Sequence, residues 1–508
     1  MSNSLTDKKF SLVTWVKDVL TEHFRIRKFN SPLGYLFIAF VTIVITFAIA
    51  KINFLVGAGV MGLLIGGGMV LVCLFDTKWG FYISTASSFF VFYFNRMIND
   101  VAPVGVVIDI FITITFVGIY FKKTMAKGKY WEHSKNPITY VYFLMIAFLV
   151  IEAFNPSMLG LGGWIFSFRK FLNFIMIYFT ALHVFKSMDD VKQFIKIYLI
   201  LCVICGVYGC FQEWHGLLGF ESHWVMSDPL KWRLYFQGGT IRKWSLLSDP
   251  TSYGMLMANA AILALILAMG PASRRQRIYY VVGSMFMLMG MAYSGTRTAT
   301  AMIPAGLVLF VLMTITSKKT LAFAISFLVL FIVIIFGPIH SNGTINRIRS
   351  TFEFSEDESF NIRDVNRHYI QPYMWRHPLG GGLSTTGVQG EVYNPGHELA
   401  GFPPDSGYLK AALETGPLGL LLTCIVYFVV LQVGIRNYYR TKDPVIRSYY
   451  VGIISTTFAI IVAHYAQVAI GQIPGAFLFY GSAAAMVKMR SFDQTKKEEE
   501  TQPETSIL

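Results

Sequence analysis

Charge is scarce in this sequence. Of its 508 residues only 14% are Asp, Glu, Lys or Arg, against 54% hydrophobic and 16% aromatic. Soluble chains carry roughly a quarter charged residues, so a water-soluble globule is excluded. Cysteine is scarce too: Cys73, Cys202, Cys205, Cys210 and Cys424 all lie inside apolar runs, so none can staple an exported loop. Cys202 and Cys205 have the spacing of half a zinc or redox site, but no second pair accompanies them. There is no G-x-x-x-x-G-K-[ST], which argues against ATP hydrolysis. Neither an H-E-x-x-H nor a His/Cys cluster at metal spacing occurs, so no metal and no cofactor are expected. No cleavable signal peptide is visible. The lack of a convincing internal repeat weakens an inverted-repeat transporter.

What the chain does have is apolar runs able to cross a hydrocarbon core about 30 Å thick. Fourteen candidate spans lie near 33–50, 53–75, 80–94, 103–121, 138–154, 168–185, 192–213, 251–270, 277–293, 299–316, 320–338, 406–434, 448–468 and 472–487. The expected fold is an all-α polytopic membrane protein with two long outward-facing loops, near 214–250 and 339–405. Residues 1–32 carry Lys8, Lys9, Lys17, Arg25, Arg27 and Lys28, with Phe10, Val13, Val16, Leu20 and Phe24 at helical spacing. They read as an amphipathic segment on the cytoplasmic leaflet, ahead of a helical bundle over 33–487. Residues 488–508 read as a cytoplasmic disordered tail.

The formal net charge of +14 does not point to nucleic acid. The basic stretches "KKTMAKGKYWEHSK", "SRRQR", "SKK" and "RNYYRTKDPVIR" fall in alternate connections. This is the positive-inside pattern, with both termini cytoplasmic. Asp109, Glu152 and His464 lie inside spans and read as buried structural hydrogen-bonding groups.

Three outer elements gather the remaining polar chemistry. In "IRKWSLLSDPTSYG", Asp249 followed by Pro250 reads as a helix cap and first-turn proline. Capping does not explain Arg242 or its neighbour Lys243. In "SGTRTAT" a tight turn holds Arg297 between two apolar spans, where it either snorkels outward or serves a function. In the second loop Arg363 and Arg367 stand four apart, one helical face if that segment is helical. Arg376, Pro378 and the cluster Gly380, Gly381 and Gly382 follow, a backbone that permits close approach of an anionic or bulky ligand. The first-loop aromatics Trp224, Trp232, Tyr235 and Trp244 suit either sugar stacking or an interfacial belt, and the belt is favoured.

In order and sidedness these pieces resemble the bacterial O-antigen ligase and O-antigen polymerase superfamily over roughly residues 240–425. "IRKWSLLSDPTSYG" is similar to the family's arginine, Gly-x-Phe, Pro-Asn stretch, and "SGTRTA" to its Ser-Gly-Ser-Arg turn. "RDVNRHYIQPYMWRHPLGGGL" resembles an arginine followed by Pro-Leu-x-Gly-x-Gly, which implicates Arg363. "PPDSGYLKAALETGPLGLLL" resembles Pro-His-Asn-x-Tyr-Leu followed by Glu-x-Gly-x-x-Gly, and aligns Tyr408 with the family's tyrosine. Asp405 stands where the ligases usually have histidine, and Ser406 where they have asparagine.

The resemblance implies a metal-independent inverting glycosyltransferase of the cytoplasmic membrane with its site on the outer face. Its substrate would be an undecaprenyl-diphosphate-linked oligosaccharide. The other expected partners are membrane lipids and polysaccharide-assembly proteins. The catalytic expectations are Asp405 as base on the acceptor hydroxyl, with Arg297 and Arg363 on the pyrophosphate. Should Asp405 not be the base, His397 and Glu398 come next. Arg242, Lys243, Arg367, Arg376, Gly380, Gly382 and Tyr408 are expected to bind diphosphate or sugar. The departure at Asp405 favours polymerisation of lipid-linked repeats. The alternatives are ligation to lipid A core or another acceptor, and transport of the lipid-linked glycan.

Overall fold

The structure is a computed structural model that describes residues 30–51, 54–100, 105–125, 134–237, 239–338, 343–349, 351–352 and 358–501. The amphipathic segment expected before residue 30 therefore lies outside the described residues. The chain forms two compact units, Met1–Leu71 and Val72–Leu508. The first contains α1 (Pro32–Lys51) and most of α2 (Phe54–Phe75).

The second unit begins with α3 (Thr77–Met97), α4 (Gly105–Met125), α5 (Pro137–Ile151), α6 (Leu161–Val184) and α7 (Met188–Trp214). The first long loop then folds into α8 (Gly219–Met226), α9 (Pro229–Tyr235) and a two-stranded ribbon, β1 (Phe236–Gln237) against β2 (Thr240–Ile241). Next come α10 (Pro250–Met269), α11 (Arg274–Ser294), α12 (Arg297–Thr314) and α13 (Lys318–Phe336). The second loop contains α14 (Gly343–Arg349), α15 (Glu358–Arg376) and α16 (Gly387–Tyr393). Finally α17 (Gly407–Arg440), α18 (Pro444–Ala463) and α19 (Gly475–Thr501) complete the bundle.

A helix occupies the place of every expected span. Among the described residues nine helices are long and apolar enough to cross a membrane, with two shorter apolar helices at Pro32–Phe47 and Gly59–Phe75. This marks a multi-pass membrane protein. The difference from fourteen comes in part from helices such as α3, with Lys78 and Arg96 near its two ends, and α11, which opens on Arg-Arg-Gln-Arg; these polar turns dilute their hydropathy. α19 runs to Thr501, into the stretch read as disordered tail. Its Lys-Lys-Glu-Glu-Glu run is made of good helix formers.

α10 is the centre of the bundle. It packs on α11, α12 and α18, and 89% of its apolar window is buried, against 6% for α13 at the periphery. Small side chains permit this: Gly254, Ala258, Ala260, Ala261, Ala264 and Ala268 let neighbouring backbones approach closely. Asp249 caps α10 by accepting from the Thr251 and Ser252 amides, as the Asp-Pro pair predicts.

Both long loops meet on one face of the bundle. Arg347 of α14 donates to the backbone carbonyl of Gln237 at 3.3 Å and to its side-chain oxygen at 2.9 Å. The first-loop aromatics are a small core of their own rather than a belt. Trp224, Tyr235 and Trp244 are buried together, with Trp232 stacked on Phe236 at 4.9 Å. Arg96 runs beneath them, donating to the Ser245 carbonyl at 2.8 Å and to that of Leu247. The rings are consumed by each other and by this guanidinium, a packing that alternation along the sequence cannot reveal.

Candidate active site

The main gathering of charge is where α10, α11, α12 and α14 converge. α11 ends at Ser294, and Gly295 caps it with φ +58, the left-handed region that glycine enters freely. The Gly295 carbonyl accepts from Arg347 Nε at 2.8 Å. A Cβ at Gly295 would stand 2.7 Å from that same nitrogen. The turn "SGTR" is thus shaped to admit Arg347, and α12 opens on Arg297 immediately after it.

Arg242 enters from the first loop. Its Nε donates to the Ser294 carbonyl at 2.9 Å, and its terminal nitrogens reach Thr296 Oγ1 at 3.0 Å, Thr251 Oγ1 at 3.4 Å and Gln237 Oε1 at 3.5 Å. These acceptors are all neutral, and the Asp249 carboxylate is in electrostatic reach of the guanidinium. Burial, then the charge of Arg347, pushes Arg242 down to about 10. Burial, then Arg297, pushes Arg347 below the usual arginine range. Three cations are therefore held close enough to repel one another, an arrangement that a bound anion would relieve.

Arg347 was missed by the sequence reading. Its signal was available in "TINRIR", a basic pair in the same loop as Arg363, but nothing in the spacing links it to Gly295 or Gln237.

The other expected residues divide. Lys243 donates to the Ile241 carbonyl at 3.0 Å and pairs with Glu213 at 3.3 Å, so it ties the ribbon to the end of α7. Arg363 lies on α15, so the segment on which it stands four residues from Arg367 is helical, but its side chain is outside the described residues. Arg367 lies over the Tyr465 ring at 4.6 Å and donates to its hydroxyl at 2.8 Å. Arg376 is exposed and pairs with Glu398 at 3.5 Å. Tyr408 donates to the Ile461 carbonyl at 3.0 Å, an anchor between α17 and α18. Asp405 is half-buried beside Ser406, and Ser406 is the residue that caps α17. His397 Nδ1 accepts the Leu399 amide at 3.1 Å, and burial lowers its imidazole below the usual range.

The glycine cluster is corrected outright. α17 is broken at Gly416, with φ 65 and ψ −175, and Pro417 follows. Pro417 has no N–H to give the Leu413 carbonyl one turn earlier. Gly381 supplies it at 2.8 Å, and Gly382 donates to the Glu414 carbonyl at 2.9 Å. Gly380, at φ +73, has no room for a side chain, because a Cβ would lie 2.6 Å from the Glu414 and Gly416 backbones. These glycines seal a helix break; their amides do not face a ligand.

Beside the break lies a cavity of about 560 Å³ between α5, α6, α17, α18, α19 and the second loop. Lys170, Lys410, Gln389, Glu414 and His464 line it, as do Pro404 and Gly407 on either side of Asp405. Lys410 donates to Gln389 at 3.2 Å and stands 3.8 Å from Glu414, whose carboxylate accepts the Thr386 hydroxyl at 2.5 Å. His464 is held as expected of a structural group: its Nδ1 accepts the Ala469 and Ile470 amides, each at 3.2 Å. Asp109 pairs with Arg169, and Glu152 accepts from Asn155 at 2.9 Å, again structural roles.

Residues 282–424 match the family model described as O-Antigen ligase. The match bears out the family resemblance and covers three of the four motifs, with "IRKWSLLSDPTSYG" before it. It encloses Arg297, Arg347, Arg363, Asp405 and the broken part of α17, and leaves Arg242 and Lys170 outside. It supports an enzyme of the O-antigen ligase and polymerase type, acting on lipid-linked glycans. No curated protein matches the chain.

Proposed function

We propose that the protein transfers saccharide units from an undecaprenyl-diphosphate donor to a sugar hydroxyl, extending another lipid-linked repeat. The observation that carries this reading is the convergence of Arg242, Arg297 and Arg347 on one turn at the loop face. As the acceptor oxygen attacks the anomeric carbon, the bond from that carbon to the diphosphate oxygen breaks. Negative charge then grows on the leaving diphosphate. Permanently charged, planar guanidiniums already fixed in place stabilise it with little reorganisation. Arg363, one helical turn before Arg367, is assigned to the same anion.

Asp405 takes the hydroxyl proton. Ser406 is the residue that caps α17, and Asp405 stands half-buried just before it. One base and direct displacement invert the anomeric centre. The donor bond is already activated, in keeping with a sequence that has no ATP-hydrolysis motif. The site is assigned to the outer face of the cytoplasmic membrane, following the positive-inside distribution.

The test is reconstitution of the purified protein in detergent with lipid-linked repeats and no other acceptor. A ladder of products sensitive to mild acid is expected. A ladder that appears only when lipid A core is added would make the protein a ligase. Absence of any new glycosidic bond would leave the transporter.

A further inference from the structure

The cavity beside the broken helix contains a charge that the proposed chemistry leaves unexplained. Lys170 lies ten residues into the 24-residue span α6, about 14 Å along the helix at 1.5 Å per residue. It lines the cavity and has no hydrogen-bond or ion-pair partner among the described residues. A lysine inside a span costs roughly 2.5–3.5 kcal/mol on insertion scales and is by default a functional group.

Its neighbours offset it only in part, with the Phe174 ring 5.8 Å from its ammonium. The nearby Asp109 is engaged by Arg169. Lys410 is close enough to repel Lys170. Glu414 is shared between Lys410 and Thr386. His464 accepts at Nδ1 and so needs only its Nε2 proton, which makes it neutral. Two cations and one carboxylate leave the polar end of the cavity positive. Away from these charges the wall is largely apolar, with Met145, Leu149, Phe171, Phe174, Val426 and Ile470 interrupted by the phenols of Tyr142, Tyr427 and Tyr480. An amphipathic anion matches both the positive end and the apolar wall. The volume is within the range of ligand pockets.

We propose that this cavity binds the polyprenyl diphosphate of a second lipid-linked glycan, the acceptor. Its diphosphate sits between Lys170 and Lys410 and its isoprenoid chain follows the apolar wall. The assignment to the acceptor rests on the glycan-transfer reading above, in which the arginine cluster is taken by the donor. Asp405 lies at the edge of this cavity, because Pro404 before it and Gly407 two residues after it both line it. A glycan tethered there is held at the rim where its hydroxyl is to be deprotonated, so encounter becomes intramolecular.

The test counts carriers on the full-length protein in detergent by native mass spectrometry, with undecaprenyl diphosphate lacking sugar as the probe. Wild type should bind two molecules. Lys170→Gln and Lys410→Gln should each bind one, Arg347→Ala one, and Lys170→Gln combined with Arg347→Ala none. Lys170→Arg should keep two, which separates lost charge from lost packing. If Lys170→Gln is poorly made, Lys410→Gln gives an independent count. Two molecules still bound in Lys170→Gln or Lys410→Gln would overturn the proposal. So would displacement of the lysine-dependent molecule by an equal concentration of phosphatidylglycerol, which would make the cavity a general anionic-lipid site. If the counts follow expectation while lipid-linked repeats yield no ladder, the cavity assignment stands and the polymerase reading fails.

Discussion

Arg96 and Arg347 both donate to backbone carbonyls around the first loop, and they serve opposite ends. Arg96 is fully buried, with Tyr93, Trp224 and Trp244 rings at 5.9, 5.7 and 5.9 Å and the carboxylates of Glu221 and Asp100 in electrostatic reach. Arg347 has two other arginines for company. The hydrogen-bond count is similar in the two places; the charge balance is not. An arginine surrounded by carboxylates and π-faces holds a loop together. Arginines gathered against each other make a place that suits an anion.

The sharpest test of this contrast is Arg347→Ala. Turnover of lipid-linked repeats should fall by about 10²–10³-fold, the scale of losing one donor to developing charge. Membrane insertion should persist, and the melting temperature should fall far less than turnover does. Arg347→Lys should recover little, since an ammonium cannot reproduce the planar two-point grip. Normal turnover in Arg347→Ala would place that guanidinium with Arg96, as a structural anchor.

Asp405→Asn should lower turnover by about 10²–10⁴-fold while undecaprenyl diphosphate binding is unchanged, because proton transfer and anion binding are separate tasks. A parallel loss of binding would move Asp405 from base to scaffold.

Arg96→Met should do the reverse of Arg347→Ala. Each carbonyl left unpaired costs about 1–3 kcal/mol, so the yield of folded protein and its melting temperature should drop. Turnover per folded molecule should persist. The smallest effect is expected at Gly295→Ala, where the left-handed backbone costs about 1–2 kcal/mol. Its Cβ would also push Arg347 aside, so turnover should fall more than stability does. Equal falls would mean that the turn matters only for folding.

Much of the bundle was legible along the chain because a span is a local property: length and apolarity suffice for α10 or α18. Capping at Asp249 was legible for the same reason, since cap and helix are adjacent in sequence. The glycine cluster misled because its function is non-local. Gly381 answers the missing N–H of Pro417, and the Gly-Pro pair inside the expected span 406–434 was the signal that this helix breaks. The tryptophans misled in the same way, since a belt and a core have identical composition.

By itself the sequence determined the membrane class and the order of the motifs that fall within the O-Antigen ligase match. These follow from hydropathy and short motifs, all readable within a few tens of residues. Only the tertiary structure decided which cations act together. It joined Arg347 to Arg242 and Arg297 across two loops, and it set Lys170 opposite Lys410 in one cavity. The reason is physical: a Coulomb interaction depends on distance in space, and sequence separation says nothing about that distance once the chain has folded.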